Sequence, residues 1–147
     1  MIAKSTEYAI RALVYIQLQN WKKKRPGAAE IAKEIDAPEA YSAKILHTLT
    51  KHKLLDSMKG RGGGFFFAEN QPELTLYKVI IVLEGDSSFT RCGFGLRNCS
   101  NSNPCPLHDK YTVFREGFLT ITRSETIGSM ANKILNKEAV LNTTSLL

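Results

Sequence analysis

Residues 28–67 read AAEIAKEIDAPEAYSAKILHTLTKHKLLDSMKGRGGGFFF. Ile31, Ala32 and Ile35 share one face of a short helix over residues 28–35, and Asp36-Ala37 forms a tight connection. Pro38 then suits the first turn of a further helix that runs to about His52. Within it Ile45, Leu46 and Leu49 turn inward, while Lys44, His47 and Lys51 fall together on the opposite face at i, i+3 and i+7. Two short helices around a brief turn, the second with a basic outer face, make a helix-turn-helix. Residues 54–59 alternate weakly, and Gly60-Arg61-Gly62-Gly63-Gly64 separates them from the aromatic run Phe65-Phe66-Phe67. Two strands about a glycine-rich turn form a hairpin, which behind a helix-turn-helix is a wing. Arg61 sits on its tip, where it can enter a narrow minor groove. A phosphate loop is excluded, because no Gly-Lys-Ser/Thr follows and the glycines lead into a strand.

On the N-terminal side, Ser5 is placed to cap a helix over residues 6–19 with Glu7 in its first turn, and Tyr8, Ala9, Ala12, Leu13 and Ile16 form its apolar stripe. The run Lys22 to Arg25 followed by Pro26-Gly27 ends it in a loop. On the C-terminal side, Asn70-Gln71-Pro72 reads as a linker, and Thr75 caps a helix over residues 76–84 that is apolar nearly all round and so buried. Gly85 stops it. Two more amphipathic helices are predicted over residues 109–122 and 126–136, with Val113, Phe114, Gly117, Phe118 and Ile121 marking the first. Little chain remains to cover these faces, so a partner subunit in a homodimer is expected, which also suits a palindromic operator. The last residues, 138–147, carry no pattern and are expected to fray. The predicted fold is mainly α with a small β-hairpin wing. Residues 1–70 form a winged helix-turn-helix DNA-binding domain. Residues 71–147 supply a connecting helix, a cysteine-rich loop and C-terminal dimerisation helices.

Charge agrees with that division. Residues 1–67 hold 12 Lys and Arg against 6 Asp and Glu, and residues 68–147 hold 8 of each, so the whole excess of +6 lies in the N-terminal half. A basic half of this architecture points to double-stranded DNA. The start, MIAKSTEYAIRAL, lacks the basic region and apolar run of a secretion signal, and no stretch approaches the ~20 apolar residues of a membrane span. A cytoplasmic protein with no membrane partner is expected. A reducing compartment disfavours structural disulfides.

That matters for residues 91–109, RCGFGLRNCSNSNPCPLHD, which hold all three cysteines and one histidine as Cys92-x6-Cys99-x5-Cys105-x2-His108. So much Gly, Asn, Ser and Pro suits neither a helix nor a regular strand. A loop wrapped around a bound group does suit it. Thiolates bind zinc and iron–sulfur clusters, and an imidazole can complete four ligands. Redox-active thiols are the alternative, since a disulfide would leave one cysteine over. A Cys105–His108 nucleophilic pair would also need an oxyanion site and a substrate pocket, for which this short chain leaves little material, so an enzyme is not expected.

The segments 6–13 (TEYAIRAL), 41–49 and 59–64 (KGRGGG), together with the three-cysteine loop, resemble the Rrf-two family of bacterial winged-helix transcriptional regulators over about residues 2–136. The loop is similar to that of its iron–sulfur members, the IscR and NsrR types, with one extra residue in the first interval. The resemblance implies a regulator that senses nitric oxide, redox state or iron–sulfur status through a cluster, [2Fe–2S] more than [4Fe–4S], held by Cys92, Cys99 and Cys105. His108 matches the histidine ligand of the IscR type, and Glu7 matches the acidic residue that reaches across the dimer in the NsrR type. His108 is the preferred fourth ligand and Glu7 the alternative. DNA would meet Tyr41, Lys44, His47 and Lys51 on the recognition helix and Lys59 and Arg61 on the wing. A structural zinc or a thiol redox switch in the same loop is the alternative to a cluster.

Overall fold

The structure, a computed structural model, describes residues 2–143. Seven helices and one hairpin follow in the order α1 (Lys4–Trp21), α2 (Ala28–Glu34), α3 (Glu39–Lys51), β1 (Asp56–Met58), β2 (Gly64–Phe66), α4 (Leu76–Glu84), α5 (Ser87–Thr90), α6 (His108–Ser124) and α7 (Ile127–Leu135). This is the expected helical fold with a small wing. β1 and β2 pair antiparallel with Asp56 opposite Phe66 and Met58 opposite Gly64.

The core collects the apolar stripes of several helices. Leu13 and Ile16 of α1, Ile31 of α2, Leu46 and Leu49 of α3 and Val79 of α4 are all fully enclosed. Ile127 and Ala131 of α7 complete the same cluster, so the last helix closes over the first. Each such aliphatic side chain contributes about 1.5–3 kcal/mol by leaving water, which makes this shared core the main constraint on how α3 and α4 sit together. Backbone bonds from Leu76 N to Glu125 O (2.9 Å) and from Ile127 N to Leu74 O (2.8 Å) tie the start of α4 to the start of α7.

Several boundaries differ from the sequence reading. Ser5 does not cap α1; the helix starts earlier, with Ala3 at the cap position and no side-chain cap. A carboxylate from elsewhere takes over, Glu84 Oε2 accepting from Ala3 N at 3.0 Å. Pro38 is the cap residue of α3 with extended ψ of 134°, not a first-turn residue, because α3 begins only at Glu39. Thr75 does cap α4, its side chain accepting from Lys78 N at 3.1 Å, and Gly85 ends that helix with φ of 79°. α4 is less enclosed than its composition suggested: Val79 and Ile80 are buried, while Ile81, Val82 and Leu83 are half-buried. A further short helix, α5, precedes the cysteine loop, in a stretch too short to show helical periodicity. Residues 138–143 form no regular element, and Thr144 onward lies outside the described residues.

Candidate metal centre and nucleic-acid interface

The cysteine loop is fastened at both ends. An aromatic ladder runs from Tyr77 of α4 to Phe89 of α5 (centroids 5.1 Å apart) and on to Phe118 of α6 (5.3 Å, stacked). Arg115 of α6 donates from Nη1 to the carbonyls of Thr90 (2.6 Å) and Arg91 (3.0 Å), which pins the backbone just before Cys92. Gly93 then lies so close to Tyr111 that a Cβ there would stand 2.4 Å from the ring, so only glycine lets the loop pass α6. At its far end the loop runs into α6, whose first residue is His108.

These fastenings bring the three thiols together. The Sγ atoms of Cys92, Cys99 and Cys105 all lie within 4.8 Å of one another, with Cys92 and Cys105 3.5 Å apart. Cys105 is buried and the other two are half-buried. His108 joins from the helix end: its Nδ1 lies 3.2 Å from Cys99 Sγ, and its Nε2 lies 2.8 Å from Asn101 Oδ1. A liganding imidazole nitrogen carries no proton, so the other nitrogen must, and an amide oxygen is a suitable acceptor for it. Glu7 is elsewhere in the chain, its carboxylate 3.3 Å from Lys4 Nζ. Asn101 escaped the sequence reading. Its only signal was membership of a turn-forming NSN triplet.

The thiols are electrically distinct. Burial opposes ionisation of Cys92, but hydrogen bonds from the backbone of Leu96 and Phe94, with help from the Cys105 and Cys99 thiols, outweigh it and lower its pKa to about 7. At Cys99 the backbone N–H of Cys105 favours the thiolate, yet burial and the neighbouring thiols of Cys105 and Cys92 prevail and hold it above the ordinary thiol value. Soft thiolates grouped this closely, with an imidazole alongside, fit zinc or an iron–sulfur cluster and not a hard cation such as calcium or magnesium.

The residues singled out for DNA are all exposed. Tyr41, Lys44, His47 and Lys51 are exposed along α3, and Lys59 and Arg61 are exposed at the wing tip. Tyr41 is also braced from behind: its ring meets Tyr8 of α1 edge-on at 5.6 Å, and Tyr8 in turn lies under the guanidinium of Arg11 at 5.0 Å.

Residues 2–133 match the Rrf2 family, described as iron-dependent transcriptional regulators. The chain belongs to that family. Among curated Rrf2 relatives, a putative HTH-type transcriptional regulator of Aquifex aeolicus is 27% identical over 134 residues, covering 90% of this chain and 92% of that one. The HTH-type transcriptional regulator NsrR of Oceanobacillus iheyensis is 27% identical over 141 residues (95% and 93%), and the regulator IscR of Pectobacterium atrosepticum is 26% identical over 135 (92% and 79%). Two solved structures share the fold. CymR, the global cysteine regulator of B. subtilis, gives a TM-score of 0.72 at 19% identity over 90% of this chain and 96% of that one, and T. potens IscR gives 0.69 at 16% over 99% and 96%. The relatives are transcriptional regulators, not enzymes, and winged-helix members of the family bind DNA. No helix among the described residues is long and apolar enough to cross a membrane.

Proposed function

We propose that this Rrf2 regulator binds a palindromic operator as a homodimer, in the cytoplasm, and senses nitric oxide, redox state or iron–sulfur supply through an iron–sulfur cluster on Cys92, Cys99 and Cys105. The observation that carries the reading is the gathering of three thiols within 4.8 Å between the fastened ends of α5 and α6. His108 is the preferred fourth ligand, through Nδ1, and Glu7 of a second copy is the alternative. The [2Fe–2S] form is preferred to [4Fe–4S]. A bound cluster supplies a centre whose electron count and ligands respond to those signals.

The chain's own residues would transmit the response. Cys92 follows the Arg115 clasp and the aromatic ladder back to α4, while Cys105 and His108 lead directly into α6. α6 turns Val113 (71% exposed), Phe114 (45%) and Ile121 (57%) to solvent, an apolar face that a second copy would cover. A filled loop and an emptied loop would then set different angles between the two subunits, and so different spacings of the two α3 helices on DNA. Tyr41, Lys44, His47 and Lys51 would meet the major groove, and Lys59 and Arg61 the adjacent backbone and minor groove.

One observation favours structural zinc instead. Four ligands about one zinc ion with Zn–S of about 2.3 Å have S···S edges of about 3.8 Å, and all three Sγ atoms here lie within 4.8 Å of one another. A two-iron cluster divides its ligands between two metals, and sulfurs on different irons stand farther apart than sulfurs on one. Colour separates the two readings. Protein purified without oxygen and carrying a cluster is brown, with iron and sulfide in equal amounts; colourless protein with one zinc per chain removes the cluster and the sensing role with it.

A further inference from the structure

We propose that the loop 22–25, Lys22-Lys23-Lys24-Arg25, is a second phosphate-binding surface that grips the DNA backbone on the outer flank of the wing. The proposal rests on the DNA-binding reading and adds residues to it that neither the recognition helix nor the wing tip includes.

The loop is built onto the wing. Phe65 N donates to Pro26 O at 2.9 Å, so the segment after Arg25 runs along the free edge of β2. Asn20 stitches the same edge, donating from Nδ2 to Lys24 O (2.9 Å) and Phe65 O (3.3 Å) and accepting at Oδ1 from Phe67 N (2.9 Å). Gly64 opens β2 with φ of 138°, and a Cβ there would stand 2.2 Å from Arg25 O, so the wing can approach the loop only at glycine. Arg25 then lies across the wing's outer face. Its guanidinium stacks on Phe66 at 3.9 Å and donates to Met58 Sδ at 3.4 Å, one residue from Lys59.

This places Arg25 against both strands of the wing, with Lys23 and Lys24 beside Phe66, Phe67 and Glu69 where β2 leads away from the tip that bears Lys59 and Arg61. All four of the loop's basic residues are exposed, and among the described residues none forms an ion pair. Glu69 lines the same cleft as Lys23, Lys24 and Arg25. Four adjacent unpaired cations repel one another and tend to destabilise the fold, whereas a polyanion compensates them and releases its own condensed counterions. Arg25 joins the patch to the hairpin whose tip carries Lys59 and Arg61. The DNA that α3 and the wing hold is therefore the polyanion within reach.

The test uses the full chain and two triple variants of equal charge change. Lys22→Gln/Lys23→Gln/Lys24→Gln removes the loop's lysines; Lys78→Gln/Lys110→Gln/Lys137→Gln removes three exposed lysines of the C-terminal half. Fluorescence anisotropy at several salt concentrations follows binding to a duplex selected by the wild type from a random pool, and to an unrelated duplex, with thermal melting as the check on folding. The loop variant is expected to melt no lower than wild type, to bind both duplexes more weakly, and to show a log K against log salt slope shallower by about 0.9 for each phosphate it no longer neutralises. The control variant is expected to keep the wild-type slope. A loop variant indistinguishable from the control, while wild type binds normally, overturns the proposal alone; wild type that binds neither duplex overturns the DNA-binding reading beneath it.

Discussion

Glu84 and Ala3 are 81 residues apart, yet the Glu84 carboxylate accepts the backbone N–H of Ala3 at 3.0 Å. The contact joins the end of α4, just before the cysteine loop, to the start of the helix that carries Glu7 and Tyr8. A negative charge at a helix start satisfies an orphan donor and offsets the positive end of the helix dipole. Glu84→Ala is therefore expected to lower stability by about 0.5–1 kcal/mol, read from chemical denaturation, with Glu84→Gln losing less. An unchanged midpoint for Glu84→Ala would show that water caps α1 equally well.

The fourth ligand is open to direct spectroscopic comparison. His108→Ala should change the visible and resonance Raman spectra of the cluster-bearing protein, and Glu7→Ala should leave them nearly unchanged. Asn101→Ala should give a smaller shift than His108→Ala and faster loss of the bound group, within the roughly 10–100-fold range typical of removing a partner behind a histidine ligand. A larger change for Glu7→Ala than for His108→Ala reverses the assignment.

On the DNA side, Lys44→Ala and Arg61→Ala should each weaken operator binding by about 1–3 kcal/mol if they read a base edge or a narrow groove. The loss should depend on the site sequence. A uniform loss over unrelated sequences, with a shallower salt slope, would assign Lys44 to phosphate.

Thiol reactivity of the metal-free protein carries a pH signature. The thiolate is the reactive form. With the Cys92 thiol lowered to about 7 and that of Cys99 raised above the ordinary value, alkylation at a pH of about 7.5 should reach Cys92 well before Cys99. Lowering the pH through about 7 protonates Cys92 and should slow its modification, while Cys99 stays slow throughout. Peptide mapping after timed iodoacetamide treatment gives the order, and equal rates at the two sites would contradict the hydrogen-bond pattern around Cys92.

If the loop senses a signal, its occupancy and DNA binding must be linked. A tenfold change in operator affinity on losing the cluster corresponds to about 1.4 kcal/mol, and operator DNA must then change cluster retention by the same factor. Titrating one operator with cluster-bearing, cluster-free and nitric-oxide-treated protein at fixed salt measures it. Equal affinities for all three, over several operators, would reduce the bound group to a structural staple.

What the sequence determined by itself is what short-range pattern encodes. Ile45, Leu46 and Leu49 recur at helical spacing, and burying that stripe forces Lys44, His47 and Lys51 outward whatever surrounds the helix. Thr75 and Gly85 bound α4 because their cap chemistry acts within one turn. The cysteine loop was legible for a similar reason, since thiols so close in sequence within a segment that cannot be regular are already near one another. Tertiary structure alone decided the contacts between distant residues. Ser5 lost the capping of α1 to Glu84, a competitor from another helix. Arg25 read as a loop cation until Phe66 and Met58, far along the chain, drew it across the wing. Asn101 gained meaning only when the turn at Pro106-Leu107 and the start of α6 carried His108 back to it. Each of these depends on which surfaces the shared core of α1, α3, α4 and α7 presses together, and packing energy is gained between segments whose separation in sequence leaves no periodic trace.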